Sequence, residues 1–145
     1  MPELNNTELL RAWFRTCPAL NPQNHFRIDF LGEKATEYAL YAVPSTLKTH
    51  ENILGEEVIN DIQTQNYIFA TKDTYGGDIR QNLQNLQVYQ DVIAWIIEQN
   101  TIQNFPKMQD GRVKSILPTL TPYMVQAGSS TAKYQIQLKI TYRRL

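Results

Sequence analysis

The chain has 145 residues, equal numbers of acidic and basic side chains, and a single cysteine. That length suits one domain over residues 1–145 with its own core, and the lone Cys17 excludes an intrachain disulfide framework. The longest apolar runs, residues 38–43 and 92–97, are too short to cross a bilayer, and residues 1–6 lack the basic-then-apolar pattern of a secretion signal.

Taken in order, Asn5 and Glu8 have the spacing of a capping box at the start of a helix. Leu9, Leu10, Trp13, Phe14 and Cys17 come next at helical spacing, and Pro18 ends the run. Cys17 falls on this apolar stripe with no base signalled beside it, so it reads as core rather than nucleophile. Phe26, Ile28 and Phe30 then alternate with Arg27 and Asp29, and Tyr38, Leu40 and Ala42 alternate after a turn at Gly32-Glu33-Lys34. That pattern predicts a β-hairpin ending at Pro44. Residues 45–64 show no clean period, and Glu56 to Ile62 fits either a helical turn or a short strand. Glu51, Glu56, Glu57 and Asp61 lack the spaced ligands and central glycine of an EF-hand loop.

A third strand is expected over residues 66–73, broken by Gly76-Gly77, with Asp78 placed to cap the next helix. That second helix is expected over residues 79–100, about 33 Å long at 1.5 Å per residue. Ile79, Leu83, Leu86, Tyr89 or Gln90, Ile93 and Ile97 trace its apolar face. Its polar face carries Gln81, Gln84, Gln87, Asn82 and Asn85, neutral amides that are cheaper to bury against a partner than charges. After a turn at Asp110-Gly111, residues 113–126 read as extended, and Pro118 and Pro122 restrict them to a sheet edge or a broken strand. Gly128-Ser129-Ser130 turns the chain into the last strand.

That last strand, residues 131–143, carries the strongest signal. Ala132, Tyr134, Ile136, Leu138, Ile140 and Tyr142 alternate with Thr131, Lys133, Gln135, Gln137, Lys139, Thr141 and Arg143. One face is apolar and one polar, as in a strand covered on one side only. Its length matches the second helix, so Tyr134, Ile136, Leu138 and Ile140 are expected beneath Leu83, Leu86, Ile93 and Ile97. The predicted fold class is α+β: a mostly antiparallel sheet with two helices packed on it, in the order α-β-β-loop-β-α-β-β.

Charge is unevenly spread. Residues 1–106 hold 7 Lys/Arg and 13 Asp/Glu, and residues 107–145 hold 7 Lys/Arg and one acid, Asp110. His25 and His50 fall in no zinc-binding pattern, and no nucleophile elbow, P-loop or dinucleotide fingerprint is present. The residues therefore point to no catalytic site, no metal site and no cofactor. Lys107, Arg112, Lys114, Lys133, Lys139, Arg143 and Arg144 form the basic set that a nucleic-acid-binding module would use, and such a module is the alternative expectation.

Several runs, in order and spacing, carry a family likeness. They are Trp13 with Cys17-Pro18-Ala19-Leu20, Ile28-Asp29-Phe30-Leu31, Tyr38-Ala39-Leu40-Tyr41, Tyr67-Ile68-Phe69-Ala70 and Tyr75-Gly76-Gly77-Asp78. Gln81-Asn82-Leu83-Gln84-Asn85, Trp95-Ile96-Ile97-Glu98-Gln99 and Lys133-Tyr134-Gln135-Ile136-Gln137-Leu138 with Thr141-Tyr142 continue them. Together they resemble minor capsid and tail terminator proteins of tailed bacteriophages and prophages. The resemblance implies an α+β fold, a homo-oligomeric ring (commonly a hexamer), and assembly rather than catalysis. The implied partners are tail tube and head–tail connector proteins. The implied location is the host cytoplasm during assembly, then the virion at the head–tail junction or tail. No membrane partner is expected, and nucleic-acid binding only weakly. Gln81, Gln84, Gln87, Lys133, Lys139 and Arg143 are the expected subunit-contact residues, on the amide-rich helix face and the basic strand face.

Overall fold

The computed structural model describes residues 6–20, 24–28, 37–74, 79–108, 111–119, 123–127 and 131–144. Helix α1 (Asn6–Phe14) and helix α2 (Ile79–Ile102) lie on one face of a mostly antiparallel sheet, so the α+β class holds. The strands are β1 (Phe26–Ile28), β2 (Glu37–Val43), β3 (Thr49–Glu51), β4 (Glu57–Ile59), β5 (Ile62–Thr74), β6 (Gly111–Pro118), β7 (Tyr123–Ala127) and β8 (Thr131–Arg144). The main sheet runs β1-β2-β5-β8-β6, and β7 also pairs with β8. The expected turns at 32–34, 76–77 and 128–130, and the caps at Asn5 and Asp78, lie outside the described residues.

Strand β8 buries the apolar face that its alternation predicts, while on the expected wet face Gln135 is buried, Lys133, Gln137 and Thr141 are half-buried, and Lys139 and Arg143 are exposed. It pairs with β5 along its length, with Tyr67 opposite Leu138, Phe69 opposite Ile136 and Thr71 opposite Tyr134. Residues opposite each other share a face, so these side chains form one apolar surface. The side chains of Tyr67, Phe69, Ile136, Leu138 and Ile140 are buried against the helices. The other edge of β8 is shared end to end by β6 and β7. Pro118 closes one and Tyr123 opens the other, so the proline-bearing segment is both an edge and a broken strand.

Three expectations are corrected. Strands β1 and β2 pair in parallel, with Phe26 opposite Tyr38 and Ile28 opposite Leu40, not as an antiparallel hairpin. Both Phe26 and Tyr38 are buried beside Phe69, and Arg27 reaches Glu37 at 3.5 Å, so side-chain packing and pairing favour this direction. The expected loop before the third strand contains a separate two-stranded hairpin, β3–β4, and of the two alternatives for residues 56–62 the short strand holds, as β4. Helix α2 is also turned about its axis from the expected face. Tyr89, Val92, Ile96 and Gln99 are buried, whereas Leu83, Leu86 and Ile97 are exposed, and Ile93 of the expected set packs on the core.

A tyrosine fixes that rotation. The Tyr89 hydroxyl donates to the Tyr134 carbonyl at 2.8 Å. Its one proton is then used, so the Thr71 hydroxyl, 2.6 Å away, is the donor to it. Turning Leu83 and Leu86 inward would tear both bonds out of a dry site. Helix α1 docks through Phe14, stacked on Phe69 at 5.2 Å, and Trp13, 4.6 Å from Trp95. Trp13 Nε1 donates to the Asn104 carbonyl at 3.0 Å, which ties α1 to the segment after α2. Cys17 is buried in this layer, and burial pushes its thiol above its ordinary pKa, with a smaller push from Asp91. A buried protonated thiol is a poor nucleophile, as a core cysteine should be.

Candidate functional site

Among the described residues there is no cluster of histidine, cysteine and carboxylate side chains that would hold a metal ion. Among them, too, no helix is long and apolar enough to cross a membrane. The features that core packing does not explain are surfaces, and the most developed is the β3–β4 arm.

The arm begins as β2 leaves the sheet and returns as β5. Thr49 pairs with Ile59, His50 with Val58 and Glu51 with Glu57. Its turn, residues 52–55, is built by one side chain: Asn52 Oδ1 accepts from the backbone N–H of Leu54 and of Glu56, both at 3.0 Å. Gly55 sits at φ +80°, a left-handed position that suits a residue without Cβ. At the base, Gln63 lies on the apolar face of β5 and is almost fully buried. Its Oε1 accepts from Lys48 N at 2.9 Å, and its Nε2 donates to the carbonyls of Lys48 and Asn60 at 2.8 and 2.9 Å. The side-chain amide thus clamps both legs of the arm to the core.

This hydrogen-bonded frame presents the wrong residues for a solvent loop. Turn tips usually carry polar residues. Here Ile53 is fully exposed and Leu54 is 80% exposed, and Val58 and Ile59 are exposed on the strand behind them. Glu51 and Glu57 stand directly opposite each other, and like charges in that relation destabilise a strand pair. Among the described residues neither forms an ion pair with a cation.

A second surface lies beyond the C-terminus of α2. Gln103 takes a left-handed φ of 58° and ends the helix, and the chain then wraps past Phe105, Pro106 and Met108 into β6. Asn100 faces the outer edge of β6: its Oδ1 accepts from Ile116 N at 3.0 Å and its Nδ2 donates to the Ile116 carbonyl at 2.6 Å. Phe105, Pro106, Met108 and Val113, with Lys107 and Arg112, line an open groove of about 550 Å³ beside this edge. At Gly111 the backbone runs so close to β8 that an added Cβ would lie 2.6 Å from the Arg143 carbonyl oxygen, so glycine is required there. Arg112 stands directly opposite Arg143, a like-charge pair that mirrors Glu51 and Glu57.

The subunit-contact residues expected from sequence do not form one surface. Gln84 and Gln87 are exposed on α2, in the helix layer, and Gln87 Nε2 bonds Asp91 at 2.9 Å. The side chain of Gln81 lies outside the described residues. Lys133, Lys139 and Arg143 project from β8 on the opposite face, away from the helices. Lys133 is half-buried with its Nζ 5.1 Å from the centre of the Tyr41 ring, while Lys139 and Arg143 are exposed. Of the wider basic set, Lys107, Arg112, Lys114 and Arg144 are exposed with Arg143 near the β6 edge. Nothing in the sequence marks the arm tip, because a hairpin without a buried face has no period to detect.

No protein-family model matches the chain, and no match was found among curated proteins.

Proposed function

We propose that the chain is a structural assembly protein of a tailed phage particle, of the tail terminator or minor capsid kind, that works as a homo-oligomeric ring. The observation that carries the assembly reading is the β3–β4 arm: a hydrogen-bonded frame that holds Ile53 and Leu54 in water. Exposed apolar residues on a fixed scaffold suit a surface that is covered by a partner. The phage assignment itself rests on the sequence resemblance, and the α+β architecture is compatible with it. A ring needs two unlike patches on each subunit, so that each copy gives one and receives the other. An acidic, apolar arm and a basic groove edge are unlike in this way. The work of such a ring is to end tail-tube growth and offer a docking face to the connector, with no cofactor and no bond chemistry.

Light scattering during size-exclusion chromatography, with negative-stain imaging, tests the ring. The expected result is closed rings, most simply hexamers, growing in population with concentration. A protein that remains monomeric at millimolar concentration, with no ring in any image, sinks the assembly reading. Removal of the chain from a phage that carries it should leave tail tubes of uncontrolled length.

The alternative is nucleic-acid binding by the exposed Arg112, Lys139, Arg143 and Arg144. Arg112, Lys139 and Arg143 share the face of the sheet away from the helices, which favours contact with phosphates, while strand alternation places Arg144 on the other face. Submicromolar, salt-resistant binding to duplex DNA would favour this reading over assembly, since contacts to phosphate alone weaken steeply with salt.

A further inference from the structure

We infer that the arm tip of one copy docks into the Phe105–Val113 groove of the next, so that this is the head-to-tail contact of the ring. The inference rests on the ring reading and adds to it which two surfaces meet. The occupant is a second copy of this chain, argued from complementarity on both counts that matter. The arm offers two apolar side chains, Ile53 and Leu54, beside Glu51, Glu56 and Glu57. The groove offers the half-buried Phe105 and Pro106, backed by Met108 and Val113 of the core, beside the exposed Lys107 and Arg112. Apolar meets apolar and acid meets base, which favours the correct partner and rejects arm-to-arm and groove-to-groove pairing.

The like-charge pairs supply a second argument. Glu51 faces Glu57 on the arm, and Arg112 faces Arg143 at the groove. Each pair is unfavourable in an isolated subunit and would be relieved by the other. Neither pair is neutralised within the chain by any ion pair among the described residues.

The two patches are also distinct in place. The arm rises from the start of β5 at the sheet end where Ile62, Arg143 and Arg112 lie in one row across β5, β8 and β6. Arm base and groove thus share one end of the sheet but lie on different strands, two strand spacings or about 10 Å apart. The tip remains exposed in its own subunit, so it does not fill its own groove. The buried Gln63 is a positioning residue here, because its three bonds fix the direction in which the arm leaves the core.

Oxidative cross-linking tests the contact in the full chain. Leu54→Cys and Lys107→Cys in one chain should give a covalent ladder of multimers on a non-reducing gel, and a mixture of the two single variants should stop at dimers. Cys17 is buried and should not compete. Leu54→Cys combined with Gln84→Cys on α2 is the control and should give no ladder. Separately, Leu54→Asp and Arg112→Glu should each raise the concentration needed for ring formation at least tenfold without lowering the unfolding midpoint, which Arg112→Glu should raise slightly by removing the like-charge pair with Arg143. Rings that persist unchanged in both variants, or a control ladder as strong as the Lys107 ladder, overturn this contact and leave the ring reading standing. A wild-type chain that is monomeric at millimolar concentration and gives no ladder overturns both. Arg112→Glu that keeps rings but loses retention of single-stranded DNA assigns the basic groove edge to nucleic acid and overturns the contact.

Discussion

Two antiparallel strand pairs in this molecule are held in opposite ways. The β5–β8 ladder is long, and its apolar residues lie under two helices, with Phe69, Ile136, Leu138 and Ile140 withdrawn from water. The β3–β4 pair is three residues a side, and Ile53, Leu54, Val58 and Ile59 stay wet. Burial holds the first. Hydrogen bonds from Asn52 and Gln63, and the left-handed Gly55, hold the second. An isolated two-stranded hairpin is marginal in water, so the arm depends on these few groups. The contrast teaches that the same apolar residue types hold the fold together where helices cover them and are left in water where polar scaffolding holds them out.

The contrast can be broken from either side. Leu138→Ala removes a fully buried side chain from the ladder and should lower stability by about 2–5 kcal/mol, through lost transfer energy and a residual cavity. Chemical denaturation measures it, and Leu138→Met should be mild because volume is nearly kept. A loss under about 1 kcal/mol for Leu138→Ala would mean that the ladder is not the core.

Tyr89→Phe comes next. It leaves the Thr71 hydroxyl and the Tyr134 carbonyl without their shared partner in a dry site. The expected cost is about 1–3 kcal/mol. No change in the denaturation midpoint would show that α2 is not fixed in rotation by this residue.

On the arm, Gln63→Leu strands the Lys48 N–H and two carbonyls at a partly wet site, where water replaces some of the loss. About 1 kcal/mol of global stability is expected. Amide exchange should discriminate better: protection in residues 49–59 should fall while that of β5 and β8 stays, because the arm opens as a local unit. Uniform loss of protection across the ladder would contradict that independence.

Gly55→Ala forces a Cβ into a left-handed position, at a cost of about 1 kcal/mol confined to the arm. Exchange at the Leu54 and Glu56 amides should report it while the global midpoint holds. The smallest effect is expected for Lys139→Ala, on the solvent side of the strand that carries Leu138, at under about 0.5 kcal/mol. If Lys139→Ala and Leu138→Ala destabilise equally, the one-sided strand is wrong. If Lys139→Ala folds normally but lowers ring formation, the open sheet face joins the contact.

Much of the frame is legible in the chain before any folding is considered. The alternation from Ala132 to Tyr142 marks one buried face, and the structure buries it. The two prolines at 118 and 122 mark a broken edge, and β6 and β7 form one. The expected end of helix α2 lies within two residues of the observed one. These signals are local: a period, a missing N–H, a turn residue. The candidate site is not legible in this way, because Ile53 and Leu54 have no neighbours in sequence that announce exposure, and the groove joins Phe105 to Arg112 only after the chain has folded back on itself.

By itself, then, the sequence determined which residues alternate, where helices run and where strands must break, since these depend on backbone chemistry and spacing over a few residues. Tertiary structure alone decided the parallel pairing of β1 with β2, because pairing direction depends on the surroundings of Phe26 and Tyr38. It decided the rotation of α2, whose apolar residues surround the axis too widely for period to choose a face, until the Tyr89 hydroxyl met Thr71 and Tyr134. It also separated Gln84 and Gln87 of α2 from the lysines of β8 onto opposite sides of the sheet, because a residue's face is set by register with partners far away in the chain.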